Sequence, residues 1–192
     1  DIGKLRHKSG SFALLENDFR EGFRRFPHTE IKHHFLSRAL LRLVAAAEPT
    51  RFLRRGVVMS DLLVIFGEHF LTCDDTQANT FVVSLQKALD REASFDRLTD
   101  NAASLLLTSL TRDVVERRAI FSDLHVSNVV LFGDVSDCTL ERVEIQRLDA
   151  AEASLVDVTF NSCRVVNLHV DGTTRFGNSA PVVHRLHVKS AK

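Results

Sequence analysis

Across residues 1–118 apolar side chains recur at three- and four-residue steps, the period of a helix with one buried face. Ile31, Phe35, Leu36, Ala39, Leu40 and Leu43 form the first such stripe, behind the start signal Pro27-His28-Thr29. Pro49 and Gly56 then interrupt the pattern. A second helix is predicted over about 60–70, with Ser60 or Asp61 as its cap. A third follows Asp74-Asp75-Thr76 and carries Phe81, Val82, Leu85 and Leu89 on one side. A fourth starts near Asp100 and includes Leu105, Leu106, Leu110, Val114 and Val115. Upstream, residues 11–15 and 23–26 flank a polar stretch with Asn17, Asp18 and Gly22, which predicts a hairpin.

From residue 133 the step becomes five. Val135, Leu140, Ile145, Ala150, Leu155, Phe160, Val165 and Val170 are all apolar, and two positions before them stand Gly133, Cys138, Val143, Leu148, Ala153, Val158, Cys163 and Leu168. The residue between each pair is polar every time: Asp134, Thr139, Glu144, Asp149, Ser154, Thr159, Arg164 and His169. An apolar-polar-apolar triplet is a very short strand with both apolar groups on one face. A longer strand would keep period two and a helix 3.6, so the chain must turn after each triplet and present the next pair from a new side. Four sides would close a square coil of about twenty residues, and successive coils would stack about 4.8 Å apart. An alternating β-sandwich would not produce this spacing. Residues 122–129 keep the five-step but stand one residue out of phase, which predicts an insertion at Leu131-Phe132. Val183 and Val188 resume it after a break at 177–181.

This stretch, 133–172, resembles the pentapeptide-repeat family, in which the central residue is Leu or Phe, the one two before it is small, and the one between is polar. Cys138-Thr139-Leu140, Ala153-Ser154-Leu155 and Val158-Thr159-Phe160 carry the likeness. Leu148-Asp149-Ala150 and Leu168-His169-Val170 put a larger group in the small position, where the section is expected to distort. The resemblance implies a right-handed quadrilateral β-helix. The expected fold class is therefore α+β: a mainly helical region over 1–118, then a short β-helix over 119–192. The helices are expected to cover the open end of the coil, whose unpaired edges would otherwise invite aggregation.

A second likeness lies in Phe23-Arg24-Arg25-Phe26-Pro27-His28-Thr29-Glu30-Ile31, continuing through His34-Phe35-Leu36-Ser37-Arg38-Ala39-Leu40. It resembles the segment of NACHT-type STAND NTPases in which a strand ending in Arg-Phe-x-His enters a helix carrying Glu-Tyr-Phe-x-Ala. Here His33-His34 stand where Glu-Tyr is expected. The resemblance implies a place downstream of the NTPase in a bacterial signalling or antiviral defence protein, and the chain has no initiator Met, which fits a piece of something longer.

Composition narrows the functional classes. With 192 residues, 44% hydrophobic and 26% charged, the chain has globular proportions, and 25 basic residues balance 25 acidic ones. No global field favours nucleic acid or membrane. No apolar run is long enough to span a bilayer, and the N-terminus has no signal-peptide core. Cys73, Cys138 and Cys163 are odd in number and far apart, which argues against a disulfide framework and for the cytoplasm. Cys138 and Cys163 occupy inward small positions on adjacent sides and are expected to act as small hydrophobes. No phosphate-binding Gly-x-x-x-x-Gly-Lys loop, His-Glu-x-x-His pair or Gly-x-Ser-x-Gly elbow occurs, so no catalytic, cofactor or metal residues are assigned. His28, His33 and His34 lack ligand spacing. Between 133 and 177 eight acids face four arginines, a net of −4. The candidate interaction surface is Asp134, Glu141, Glu144, Asp149, Glu152, Asp157, Arg164 and His169. The expected function is non-catalytic recognition or scaffolding with a protein partner. The alternative is a free-standing DNA mimic that inhibits a topoisomerase. Arg51, Arg54 and Arg55 could contact phosphate but read as a solvated loop.

Overall fold

The computed structural model describes residues 16–17, 24–25, 28–45, 53–54, 56–91, 96–112, 119–176, 182–184 and 187–191. Strands β1 (Glu16–Asn17) and β2 (Arg24–Arg25) pair antiparallel; β2 falls within the expected 23–26, whereas β1 includes Asn17, expected in the turn, and residues 11–15 lie outside the described residues. Helices α1 (Thr29–Ala45), α2 (Ser60–Thr72), α3 (Asp75–Arg91) and α4 (Arg97–Thr108) follow, and a 3₁₀ turn, Ser109–Thr111, extends α4. Pro49, Arg51, Arg55, Val114 and Val115 lie outside the described residues.

Local chemistry explains most helix boundaries. Asp74 accepts the Gln77 amide at 2.8 Å and so starts α3. Asp96 accepts the Leu98 and Thr99 amides while Thr99 returns a bond to the Asp96 amide, a reciprocal capping box. This box moves the start of α4 ahead of the expected Asp100. Helix α2 runs on to Thr72, and its cap position is Met59, with no side-chain bond, rather than Ser60 or Asp61. The stripe on α1 is also rotated from expectation. Leu40, Leu41 and Val44 are buried and Leu36 partly so, whereas Phe35 is 46% and Leu43 44% exposed. Residues three and four apart serve either neighbouring face equally well, and packing on α2 and α3 selects the one through Ser37 and Leu40.

After the helices come parallel strands in three sheets: β3 (Ala119–Ser122), β4 (His125–Val130), β5 (Gly133–Ser136), β6 (Cys138–Glu141), β7 (Glu144–Asp149), β8 (Ala153–Val156), β9 (Thr159–Asn161), β10 (Arg164–His169), β11 (Arg175–Phe176), β12 (Val182–His184) and β13 (His187–Ala191). One sheet has the order β13-β10-β7-β4, another β11-β8-β5, the third β12-β9-β6-β3. The chain therefore visits the three sheets in rotation. Central residues pair with central residues: Leu140 with Phe160, Ile145 with Val165, Val135 with Leu155. Val183 and Val188 join in register against Phe160 and Val165.

The phase slip has a different origin from an insertion. Phe121 pairs with Leu140 and Val126 with Ile145, nineteen residues apart, whereas Gly133 pairs with Ala153 at twenty. The stretch between Leu131 and Val135 is one residue shorter than the five-residue step. Gly133 closes the shortened bend at φ 64°, a conformation glycine adopts without steric cost.

Bends between strands are of two kinds. Asp137, Arg142, Glu152, Asp157 and Ser162, all two after a central residue, are left-handed, with φ of 52–64°. Their amides stay in the ladder where Asp137 donates to Val156 O at 3.1 Å and Arg142 to Asn161 O at 2.8 Å. The equivalent Arg147 and Asn167 instead sit inside the six-residue strands β7 and β10. Those are the sides on which Leu148 and Leu168 fill the small position.

Helix α4 is buried along its whole length between the other helices and β4. One contiguous apolar cluster runs from Leu40 on α1 to Val165 on β10, with Phe66 stacked on Phe70 and Phe81 tilted against both, at ring distances of 5.2–5.8 Å. Strand β4 is the edge of its sheet, and α4 covers that edge with acceptors. Asp100 accepts the Ser127 amide at 2.6 Å and its hydroxyl at 2.7 Å, and Thr108 accepts the Val130 amide at 3.4 Å. Asn128 donates to Val58 O at 3.0 Å and accepts Ser60 at 3.2 Å. Asn101 ties the approach to α2 by accepting the Val58 amide and donating to Leu53 and Gly56 carbonyls. The Ser127 and Val130 amides, which would otherwise be open to a stray strand, are thus satisfied.

Candidate interaction surface

The outward residues of β4, β7 and β10 stand in rows because the pairing is parallel and in register. One row reads His125, Glu144, Arg164, continuing to His187. Glu144 lies 3.4 Å from His125 and 3.2 Å from Arg164. A second row pairs Asp149 with His169, in register with the buried Val130, with His169 Nδ1 2.9 Å from the Asp149 carboxylate and Arg147 at 4.0 Å. Four expected surface residues, Glu144, Asp149, Arg164 and His169, are thus brought to one sheet. Asp134 is exposed on β5, Glu141 ends β6, and Glu152 and Asp157 occupy left-handed bends elsewhere. The eight residues are distributed around the strands rather than gathered on one patch.

The bends carry their own charge pairs. Arg142 holds Asp123 in a two-pronged contact, Nε to Oδ1 at 2.7 Å and a terminal nitrogen to Oδ2 at 2.8 Å, and also contacts Glu141. Hydrogen bonds from Arg142 keep the Asp123 carboxyl below its usual range, and those to Asp123 raise the guanidinium in turn. Asp171 accepts the Thr173 hydroxyl at 2.6 Å, the Thr173 amide at 2.9 Å and the Thr174 amide at 3.1 Å. With the Glu152 amide as a further donor, its pKa falls to about 2, the Thr173 hydroxyl being the largest cause.

The other chemistry-bearing residues do structural work where they are described. Cys138 and Cys163 are buried on adjacent sheets, and burial pushes the Cys138 thiol up to about 12 and raises Cys163 as well. Cys163 donates to Leu140 O at 3.2 Å. Cys73 is half-buried and raised by the same cause. Beside it Arg112 donates to Phe70 O at 2.6 Å, Cys73 O at 2.7 Å and Asp75 at 2.6 Å, closing the α2–α3 corner. Arg54 faces Asp96 at 3.8 Å. Ser37 Oγ touches His69 Nδ1 and donates to His34 O at 3.0 Å. A serine beside a histidine suggests a nucleophile and base, but Ser37 is 0% exposed, so the pair ties α1 to α2 where no substrate can reach the hydroxyl.

Sequence reasoning missed Asp100, Asn101, Arg112 and Asn128, because each acts on a backbone segment far along the chain. It also missed the cavity flanked by Arg38, Arg42 and His69, which no motif marks. Among the described residues no group of three or more His, Cys, Asp or Glu side chains is placed to hold a metal ion, and no helix is long and apolar enough to cross a membrane. No protein-family profile, curated protein or solved structure matches the chain.

Proposed function

We propose that the chain is a non-catalytic recognition or scaffolding module from the C-terminal part of a cytoplasmic, bacterial STAND (NACHT-like) signalling or antiviral defence NTPase. In this reading its parallel strands close into a short right-handed quadrilateral β-helix of the pentapeptide-repeat kind. The rotation of strands through three sheets, the twenty-residue register of β5–β8, β6–β9 and β7–β10, and the left-handed bends at Asp137, Arg142, Glu152, Asp157 and Ser162 support that closure. A hairpin leading directly into α1 supports the place after the NTPase.

The observation that carries the function is the β4-β7-β10 wall: a filled interior behind it, and outside it rows of charged side chains held at fixed spacing by the ladder. Such a surface suits a protein partner that matches the rows. The test is made in the full-length protein. Glu144→Ala, Asp149→Ala, Arg164→Ala and His169→Ala together are expected to leave basal nucleotide hydrolysis intact and abolish activation by the trigger. Native-like activation, or a reading frame with no NTPase upstream of Asp1, overturns the reading. The rival DNA mimic rests on the net −4 of residues 133–177. Against it, Glu141 and Glu144 lie beside Arg142 and Arg164, so acids alternate with bases instead of forming the continuous acidic row a duplex mimic needs. Inhibition of topoisomerase supercoiling by micromolar protein would favour the mimic.

A further inference from the structure

We propose that the cavity between α1 and the α2–α3 corner binds a small phosphate-class oxyanion, gripped by the guanidinium groups of Arg38 and Arg42. The cavity measures about 470 Å³, and His69, Thr72 and Gln77 share its lining with the two arginines. Arg38 and Arg42 are four residues apart on α1, so their side chains rise from the same helix face about 6 Å apart along the axis. Among the described residues no carboxylate lines the cavity. Among those same residues neither guanidinium has an ion pair, as is also true of Arg175, whereas Arg54, Arg97, Arg112, Arg142, Arg147 and Arg164 each reach a carboxylate.

Two like charges on one helix face lining the cavity leave a place for one shared anion. Burial, His34 and Arg38 push the His69 imidazole below its ordinary range, with Glu68 pulling weakly the other way. His69 is already oriented by Ser37, so the wall facing an incoming anion is fixed in advance. Two arginine forks select the ligand class. A carboxylate has one edge and satisfies one fork, whereas a tetrahedral oxyanion offers a separate edge to each. The volume leaves space beyond the phosphate itself, which fits a phosphate monoester better than the free ion. This site lies on the helical side and does not depend on the proposed role of the sheet wall.

The test is calorimetric titration of the whole 192-residue chain with inorganic phosphate, glycerol 2-phosphate and acetate at matched ionic strength. Phosphate and the monoester are expected to bind, with acetate giving no saturable heat. Arg38→Gln with Arg42→Gln is expected to weaken binding by at least about tenfold, while Arg147→Gln on β7 leaves it unchanged. In NMR spectra the His69 ring signals, assigned by their loss in His69→Gln, should move with phosphate in the native chain and stay still in Arg42→Gln. That single variant keeps the test valid if the double variant does not fold, since Arg42 is exposed. No binding up to about 10 mM phosphate, equal binding of acetate, or equal weakening by the β7 control would each overturn the proposal.

Discussion

Glu152 and Arg147 occupy the same place in the five-residue step yet ask opposite things of the backbone. Glu152 is left-handed at φ 64°, where an L side chain meets the following carbonyl, whereas Arg147 is extended inside β7. Glu152→Gly is thus expected to be neutral or stabilising by up to about 1 kcal/mol, and Arg147→Gly to cost about 1 kcal/mol. Urea midpoints of the two variants check this, and destabilisation of both by the same amount would show that the bends do not differ. Asp171 gives a pH-dependent counterpart. Its carboxyl is depressed from 3.8 to about 2, so it contributes stability above about pH 4 that is lost as pH falls towards 2. Asp171→Asn should flatten the stability profile between those values, measured by urea unfolding at successive pH. The five-residue spacing was legible, and so was the apolar character of the inward pairs. Which bends are left-handed was not, because the choice depends on how each bend meets the circuit next to it.

At the scale of elements, α2 meets the strand region through an interlock as well as through the Ser60–Asn128 bond. A Cβ at Gly67 would overlap the Phe132 ring. Gly67→Ala gains about 1 kcal/mol of helix propensity but forces a side chain into occupied space, which costs about 1–3 kcal/mol. The variant is expected to be destabilised, and the same change in a Phe132→Ala background to be neutral or stabilising. A double-mutant cycle by thermal unfolding measures the coupling, and stabilisation by Gly67→Ala alone would show that the ring is free to swing away. The helices themselves were largely legible from periodicity and capping residues, Asp74 among them. The rotated face of α1 was not. A helix with apolar residues at Phe35, Leu36, Ala39, Leu40 and Leu43 carries two overlapping stripes, and only neighbours choose between them.

For the molecule as a whole, the two kinds of structure complete one another. Helix α4 is buried on every side, and β4 presents edge amides that Asp100 and Thr108 cap. Residues 119–192 alone would expose Val126, Val129 and that row of amides. Such a fragment is expected to aggregate when expressed without the helices. A monomeric fragment with native far-ultraviolet dichroism, measured after size-exclusion chromatography, would refute the dependence. The order of helices and strands, the step of five and the inward residues followed from the amino-acid pattern alone, because side-chain period is a local property of backbone geometry. The covered edge, the Gly67–Phe132 interlock, the paired acids of the β4-β7-β10 wall and the cavity at Arg38 and Arg42 came only with tertiary structure. Each joins residues distant in the chain, and contact and charge compensation depend on separation in space, which spacing along the chain does not encode.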